Sequence, residues 1–369
     1  MRIGIEISSI ATRRTGVGHY IARLLRALLD RRDGREYQLF SHAAIDPADP
    51  CLRGAALVDA HFESSRWVWM QTSLPRALAR ARVDICHFTN SLAPLWQPAP
   101  GVVLIHDASI FLFPQYHPLL RRVGRSSLLP AVARRSPAVV TISETARADL
   151  VEALGIRPEK VHVVYGAAPP GFRPIRNEHV LAAVREKYAL PPEFVLTVGT
   201  LEPRKNLARL VRAHGRLRRA GYPHELVLVG PRGWHMAELE YEISALQNGI
   251  RLLGYVPTED LPSLYSLATA FAYPSIYEGF GLPAVEAMAC GVPVIAGEGG
   301  AIPEVCGDAA LLVDPTSEDE LADGLRQVLA DGAFRETLRA RGFERTRRYS
   351  WARSAEAMVR VYESVSGAR

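Results

Sequence analysis

Of the 44 basic residues in this chain of 369, lysine stands only at positions 160, 187 and 205. The rest are arginine, so basic character alone says little about partners, and each lysine is worth placing. Cysteine is scarce as well. Cys51, Cys86, Cys290 and Cys306 share no metal-ligand spacing, which argues against a zinc module. Cys86 and Cys290 lie in apolar contexts, so buried free thiols in a reducing compartment are expected. No apolar run approaches the ~20 residues that cross a bilayer. Met1-Arg-Ile-Gly-Ile-Glu-Ile enters a strand-like alternation at once, with a charge at position 6, unlike a signal peptide. A cytoplasmic location is the expectation. Low-complexity tracts, internal repeats and Lys/Arg runs interleaved with aromatics are missing; no nucleic-acid partner is expected.

What is present is ordinary for a globular protein: 48% hydrophobic and 22% charged residues, with length enough for two domains. The net charge of +5 is unevenly spread. Residues 1–175 carry 22 Lys and Arg against 14 Asp and Glu; residues 176–369 carry 22 against 25. A basic first half suits anionic lipid or phosphate-bearing acceptors.

Short apolar runs alternate with helical patterns from end to end, the mark of an α/β fold with parallel sheets covered by helices. Strands are expected at Ile3–Ile7, Val83–Phe88, Val102–Ile105, Val139–Ile142 and Lys160–Val164, with loops and an edge strand over 35–66. Gly16 and Gly18 precede a helix striped by Ile21, Leu24, Leu25, Leu28 and Leu29. A glycine pair there can approach a diphosphate or simply make a turn. The third glycine of a dinucleotide fingerprint is missing, since position 21 is isoleucine, which counts against a nicotinamide enzyme. Trp67-Val-Trp69-Met70 begins a helix expected to reach Arg82; its tryptophans suit a core or a lip touching lipid. His106-Asp107 closes a strand at its carboxyl end, where open α/β sheets bind ligands. The basic amphipathic stretch 119–136 fits either an anionic membrane surface or a solvated face. Ser143 is placed to cap the helix over 144–154. The proline-rich Ala167–Pro174 reads as the linker. Domains are expected over 1–172 and 176–350.

In the second half, strands are expected at Phe194–Val198, Leu226–Val229, Ile250–Leu253, Ala270–Tyr273 and Val292–Ala296. Asn206 is placed to cap the helix over 207–220. Arg232 and Val256 sit in loops at strand ends, where a nucleotide base would lie. The stretch that organises the chain is Glu278-Gly-Phe-Gly-Leu-Pro-Ala-Val-Glu286. Gly279 and Gly281 let a ligand come close, and Pro283 suits the first turn of a helix. The free N–H groups of that turn suit an anion.

This stretch, read on through Glu286-Ala-Met-Ala-Cys-Gly-Val-Pro-Val-Ile295, resembles the signature of family-four retaining glycosyltransferases of the GT-B fold. The Gly199-to-Asn206 segment resembles the same family's G-x-x-x-x-x-K-N. The resemblance implies two Rossmann-like domains facing across a cleft, the first on the acceptor side, with a C-terminal helix (352–369) packing back on it. It implies Glu278 and His106 at the donor sugar, Glu286 on the ribose, and Arg204 and Lys205 on the diphosphate. The nucleotide-sugar site would be completed by Gly16, Gly18, Gly279, Phe280, Gly281, Leu282, Val256 and Arg232. Thr15-Gly-Val-Gly-His-Tyr20 and His106-Asp-Ala-Ser109 resemble bacterial mannosyltransferases of O-antigen and exopolysaccharide assembly. GDP-mannose is then the expected donor, ahead of a UDP- or dTDP-sugar, and a lipid-linked saccharide the expected acceptor, with peripheral contact to an anionic membrane. No D-x-D-like acidic pair is placed for a metal, so none is expected and the cations replace it. A nucleotide-sugar epimerase, a glycoside hydrolase using Glu278 and Glu286, and a non-catalytic nucleotide-sugar sensor are the rival readings.

Overall fold

A computed structural model describes every residue except 12–13, 47, 59–64, 247 and 368–369; the side chains at 56, 58 and 120–127 also lie outside the description. The chain forms two compact units, Met1–Gly166 with Ser350–Arg369, and Ala167–Tyr349. The proline-rich stretch expected as a linker counts with the second unit, where Phe172 is buried with its ring 6.1 Å from that of Tyr265.

The first unit holds a parallel sheet of β1 (Arg2–Glu6), β2 (Glu36–Phe40), β3 (Ala56–Val58), β4 (Ile85–Phe88), β5 (Gly101–Leu104), β6 (Ala138–Thr141) and β7 (Val161–Val163). Their order is β3-β2-β1-β4-β5-β6-β7. Strands β4, β5 and β6 are buried along their whole length, which is why runs such as Val102-Val103-Leu104 do not alternate. Its helices are α1 (Gly16–Asp30), α2 (Arg66–Gln71), α3 (Ser73–Arg80), α4 (Ser109–Leu112), α5 (Leu119–Arg135) and α6 (Glu144–Leu154).

Three expectations change here. The region 35–66 holds two strands, and β2 lies inside the sheet. The helix expected from Trp67 to Arg82 breaks at Thr72, because Pro75 has no N–H to give the carbonyl four residues back. The tryptophans divide: Trp69 is buried in the core with Met70, Leu74 and Leu78, while Trp67 is 40% exposed. In α5, Leu129 and Val132 face the core and Arg134 and Arg135 face solvent; Arg121, Arg122, Val123 and Arg125 lie outside the described side chains. Ser143 caps α6 as expected, its hydroxyl accepting from the Ala146 N–H.

The second unit holds β8 (Phe194–Val198), β9 (Glu225–Val229), β10 (Ile250–Gly254), β11 (Ala270–Tyr273), β12 (Val294–Gly297) and β13 (Ala310–Val313), parallel and in the order β10-β9-β8-β11-β12-β13. Strand β13 was not expected. Its helices are α7 (Glu178–Lys187), α8 (Leu207–Arg219), α9 (Ala237–Leu246), α10 (Leu261–Leu267), α11 (Leu282–Ala289), α12 (Ile302–Cys306), α13 (Glu318–Ala330) and α14 (Gly332–Thr346). All four cysteines are buried and free.

The last helix, α15 (Trp351–Ser366), belongs to the first unit and packs on α1. Ser350 caps it by accepting from the Arg353 N–H. Trp351 meets Tyr20 edge-on at 5.5 Å, and the Tyr20 hydroxyl donates to the Val164 carbonyl at 2.7 Å. The buried pair His87 Nδ1 and Tyr362 hydroxyl, 2.7 Å apart, joins the helix to β4.

Burial pushes the His87 imidazole from 6.5 down to about 3. Between those values the unfolded chain holds a proton that the folded unit refuses. The stability from a neutral His87 is therefore complete above 6.5 and is lost as pH falls, at up to about 1.4 kcal/mol per pH unit. Urea unfolding of the wild type and His87→Gln at neutral pH and at pH about 5 measures this. The variant is expected to lose less stability on acidification. Equal losses would remove His87 from the account.

Candidate functional site

Both sheets reverse strand order once, between β1 and β4 and between β8 and β11. Open parallel sheets bind ligands beyond the carboxyl ends of the strands that flank such a reversal. In the second unit the loop after β8 carries Gly199–Asn206 and the loop after β11 carries Pro274–Gly281. Of the residues expected at the site, Arg204, Lys205, Glu278, Gly279, Phe280 and Gly281 lie on these two loops.

Pro203 starts a single tight turn, Pro203–Lys205, which places the two cations side by side. Lys205 Nζ lies 2.6 Å from Glu278 Oε1 and donates to the Tyr273 hydroxyl at 2.9 Å. Arg204 reaches Glu278 Oε2 at 3.1 Å, Glu202 at 2.6 Å and the Tyr277 carbonyl at 2.5 Å. Glu202 and Glu278 are 8% and 6% exposed. Two buried carboxylates and two cations thus share one charge-balanced cluster. Burial pushes the Glu278 carboxyl up, but the Lys205 ammonium and the Arg204 guanidinium outweigh it and hold it at about 2. Glu278 is ionised throughout the working range of pH.

Close backbone packing holds the loops. A Cβ at Gly299 would sit 2.0 Å from the Ile276 carbonyl oxygen, and one at Gly300 2.4 Å from that of Glu278. The Ala301 N–H then donates to the Glu278 carbonyl at 2.8 Å. Gly281, at φ +91°, precedes α11, and a Cβ there would strike Ile302 at 2.5 Å. The Gly281 carbonyl accepts from the Ala284 and Val285 N–H groups. Pro283 has none to offer, so Leu282 keeps the one first-turn N–H without a helical acceptor. That is fewer anion donors than the sequence led us to expect.

Asn206 does not cap α8. It takes a left-handed conformation, φ +57°, and makes no capping bond. Its amide donates to the carbonyls of Pro274 at 3.1 Å and Pro315 at 2.6 Å, tying together the loops after β8, β11 and β13.

Glu286 lies half-buried on α11 and accepts from the Tyr265 hydroxyl at 3.2 Å. Gly279 is buried beside Glu278. The Phe280 side chain is 2% exposed and meets Tyr349 edge-on at 5.4 Å, so it packs in the protein interior. Val256 is likewise buried. Arg232 sits on the surface, paired with Glu240. Sequence reasoning passed over Glu202, Tyr273 and Tyr265, although Glu202 stands inside the quoted Gly199-to-Asn206 segment.

In the first unit, Gly16 and Gly18 lie inside the first turn of α1, after Thr15. The two differ. A Cβ at Gly18 would sit 2.9 Å from the Ser9 carbonyl oxygen, whereas nothing lies within 4 Å of one at Gly16. Gly18 thus has a packing reason, and Gly16 keeps the open approach. His106 follows β5, is 9% exposed and stands edge-on to Tyr20 at 5.5 Å. Asp107 accepts from the Ser109 N–H at 2.9 Å and turns the chain into α4. Among the described residues no three His, Cys, Asp or Glu side chains gather as a metal site.

The chain is similar to known proteins. Residues 14–170 match the family model described as Glycosyltransferase Family 4, and residues 183–345 the one described as Glycosyl transferases group 1. The chain is 33% identical over 369 residues to O-antigen chain mannosyltransferase B of Escherichia coli, covering 95% of this chain and 96% of that protein. Among solved structures, sucrose-phosphate synthase from Thermosynechococcus elongatus superimposes with a TM-score of 0.80 at 22% identity, over 100% of both chains. Anabaena HepE in complex with UDP and glucose gives a TM-score of 0.77 at 19% identity, over 98% of this chain and 99% of that one.

The cluster makes Glu278 the internal competitor of any anion that approaches Arg204 and Lys205. Glu278→Gln removes that competitor and leaves both cations. Inorganic pyrophosphate, measured by calorimetry, is expected to bind the variant about tenfold more tightly, the effect of one exchanged charge–charge contact at a partly screened site. Weaker or equal binding would show that the cations do not face the anion.

Proposed function

We propose, since the chain belongs to the GT-B glycosyltransferases of family 4 and group 1, that it moves mannose from GDP-mannose to a saccharide acceptor with retention of configuration. The observation that carries this reading is the Arg204–Lys205–Glu278 cluster at the order reversal of the second sheet, in a chain similar over its length to a mannosyltransferase.

In this mechanism the bond from the anomeric carbon to the diphosphate breaks first. Arg204, Lys205 and the Leu282 N–H receive the departing charge through fixed groups that need no reorganisation. The ionised Glu278 holds the sugar as its anomeric carbon becomes cationic, and Glu286 holds the ribose. The acceptor hydroxyl attacks from the face the diphosphate leaves. A new carbon–oxygen bond forms, and the hydroxyl proton passes to the leaving phosphate. The two cations do the work a divalent metal would otherwise do, and no metal is required.

A carboxyl held at about 2 by two cations is a poor general acid, so a glycoside hydrolase reading would have to use Glu286 as its acid and Glu278 as its carboxylate. A UDP- or dTDP-sugar remains the second donor reading. For the acceptor we favour a lipid-linked saccharide at the inner face of the membrane. Trp67 and Val68 on α2, and Leu95 and Trp96 after β4, are exposed. Gln71 ties these two elements together by accepting from the Leu95 N–H at 2.8 Å. Exposed tryptophans of this kind suit a lipid interface. Among the described residues no helix is long and apolar enough to cross a membrane.

Thermal unfolding with GDP, UDP and dTDP, on wild type and Glu286→Ala, tests the donor. A ligand at a hundred times its Kd adds about 2.7 kcal/mol. GDP is expected to stabilise the wild type most and the variant less. Stabilisation by another nucleotide alone would reassign the donor, and equal shifts in the variant would remove Glu286 from the ribose. Lys205→Ala is expected to cut transfer about a hundredfold, matching loss of one oxyanion donor at ~3 kcal/mol. A loss below about twofold would refute the role of Lys205 on the leaving group.

A further inference from the structure

The order reversal of the first sheet, between β1 and β4, carries a polar cluster that the donor chemistry does not use. Glu6 ends β1 and is 1% exposed. Its register partner on β4 is Phe88, so the residues that follow each strand, Ser8-Ser9 and Thr89-Asn90, leave the sheet side by side. The Thr89 hydroxyl donates to the Glu6 carbonyl at 2.7 Å. The Glu6 carboxylate accepts from the Ser8 N–H at 3.0 Å and from Arg66 Nη2, which lies 3.1 Å from both of its oxygens. Arg66 opens α2. Its Nε is buried with no hydrogen-bond partner. Beside this pair, Asn90 Nδ2 donates to the Ser9 hydroxyl oxygen at 2.9 Å. That bond leaves the Ser9 hydroxyl proton and the Asn90 amide oxygen uncommitted. Both residues are half-buried.

A buried guanidinium N–H without an acceptor is a group that a ligand oxygen satisfies. The Ser9 hydroxyl and the Asn90 amide oxygen add one donor and one acceptor on the chain ends that leave β1 and β4, at the place where a parallel sheet of this topology receives ligands. One acceptor and two donors, with the Arg66 guanidinium held by Glu6, match neighbouring hydroxyls of a sugar ring. They carry no surplus positive charge for a phosphate, because Glu6 already neutralises Arg66.

We propose that Arg66, Ser9 and Asn90 form the subsite for the acceptor saccharide, with Glu6 as the positioning residue that holds Arg66 in place. The proposal rests on the glycosyltransferase reading above. Glu6 acts through Arg66 and does not touch the sugar; Ser9 and Asn90 read its hydroxyls.

The test uses the full chain, GDP-mannose and methyl α-mannoside. Asn90→Ala and Ser9→Ala are each expected to raise KM for the mannoside about tenfold, the worth of one lost hydrogen bond to a ligand. GDP affinity, measured by calorimetry, is expected to match the wild type and shows that the variants are folded. KM for the mannoside within about twofold of wild type in both variants would overturn the proposal. Saturation-transfer NMR with the mannoside separates it from the donor reading. If the wild type shows no transfer, a saccharide signal that Asn90→Ala abolishes still supports the subsite. A signal that survives in the variant, or no signal in the wild type, overturns it.

Discussion

The second unit depends on keeping one carboxylate charged where water cannot reach it. Glu278 is almost fully buried, and an isolated charge there would cost several kcal/mol or be lost by protonation. Lys205 and Arg204 prevent both. Their grip requires the loops after β8 and β11 to meet within hydrogen-bonding distance, and much of the local architecture serves that meeting. Asn206 gives up helix capping to bridge two further loops. The glycines at 299 and 300 allow the backbone before α12 to lie against that of Glu278.

A charge-balanced cluster is also an economical way to hold cations ready. Arg204 and Lys205 are kept oriented by Glu278, Glu202 and Tyr273, so in the proposed mechanism a diphosphate would meet groups already in place. Glu278 would then compete with it for both cations, and binding would be an exchange of partners. The first unit repeats the arrangement in a smaller form. Glu6 at the end of β1 fixes Arg66 on α2, again at the order reversal of a parallel sheet.

Much of this was legible in the sequence because the relevant signals are local. Buried strands announce themselves as apolar runs, and ten were placed within a few residues of their observed bounds. The setting of Glu278 and Glu286 was specific enough to name a family, which the comparisons bear out. Other contacts were not legible because the partners are distant in the chain. Phe280, inside the motif, packs on Tyr349. Gly18, half of a suggestive pair, is required by the Ser9 carbonyl. Arg232 is occupied by Glu240 at the surface. The two tryptophans of α2 were read as one feature, yet they point to opposite environments.

The sequence by itself determined the parallel α/β class and the family, because periodicity and motif spacing are properties of consecutive residues. Only the tertiary structure decided which of those residues are spoken for. Lys205 and Glu278 stand 73 positions apart, and Arg66 and Glu6 stand 60 apart. No local rule predicts that either pair closes to hydrogen-bonding distance. That outcome follows from strand order, which brings remote loops to the same end of a sheet, and from burial, which makes an unpaired charge there too costly to persist.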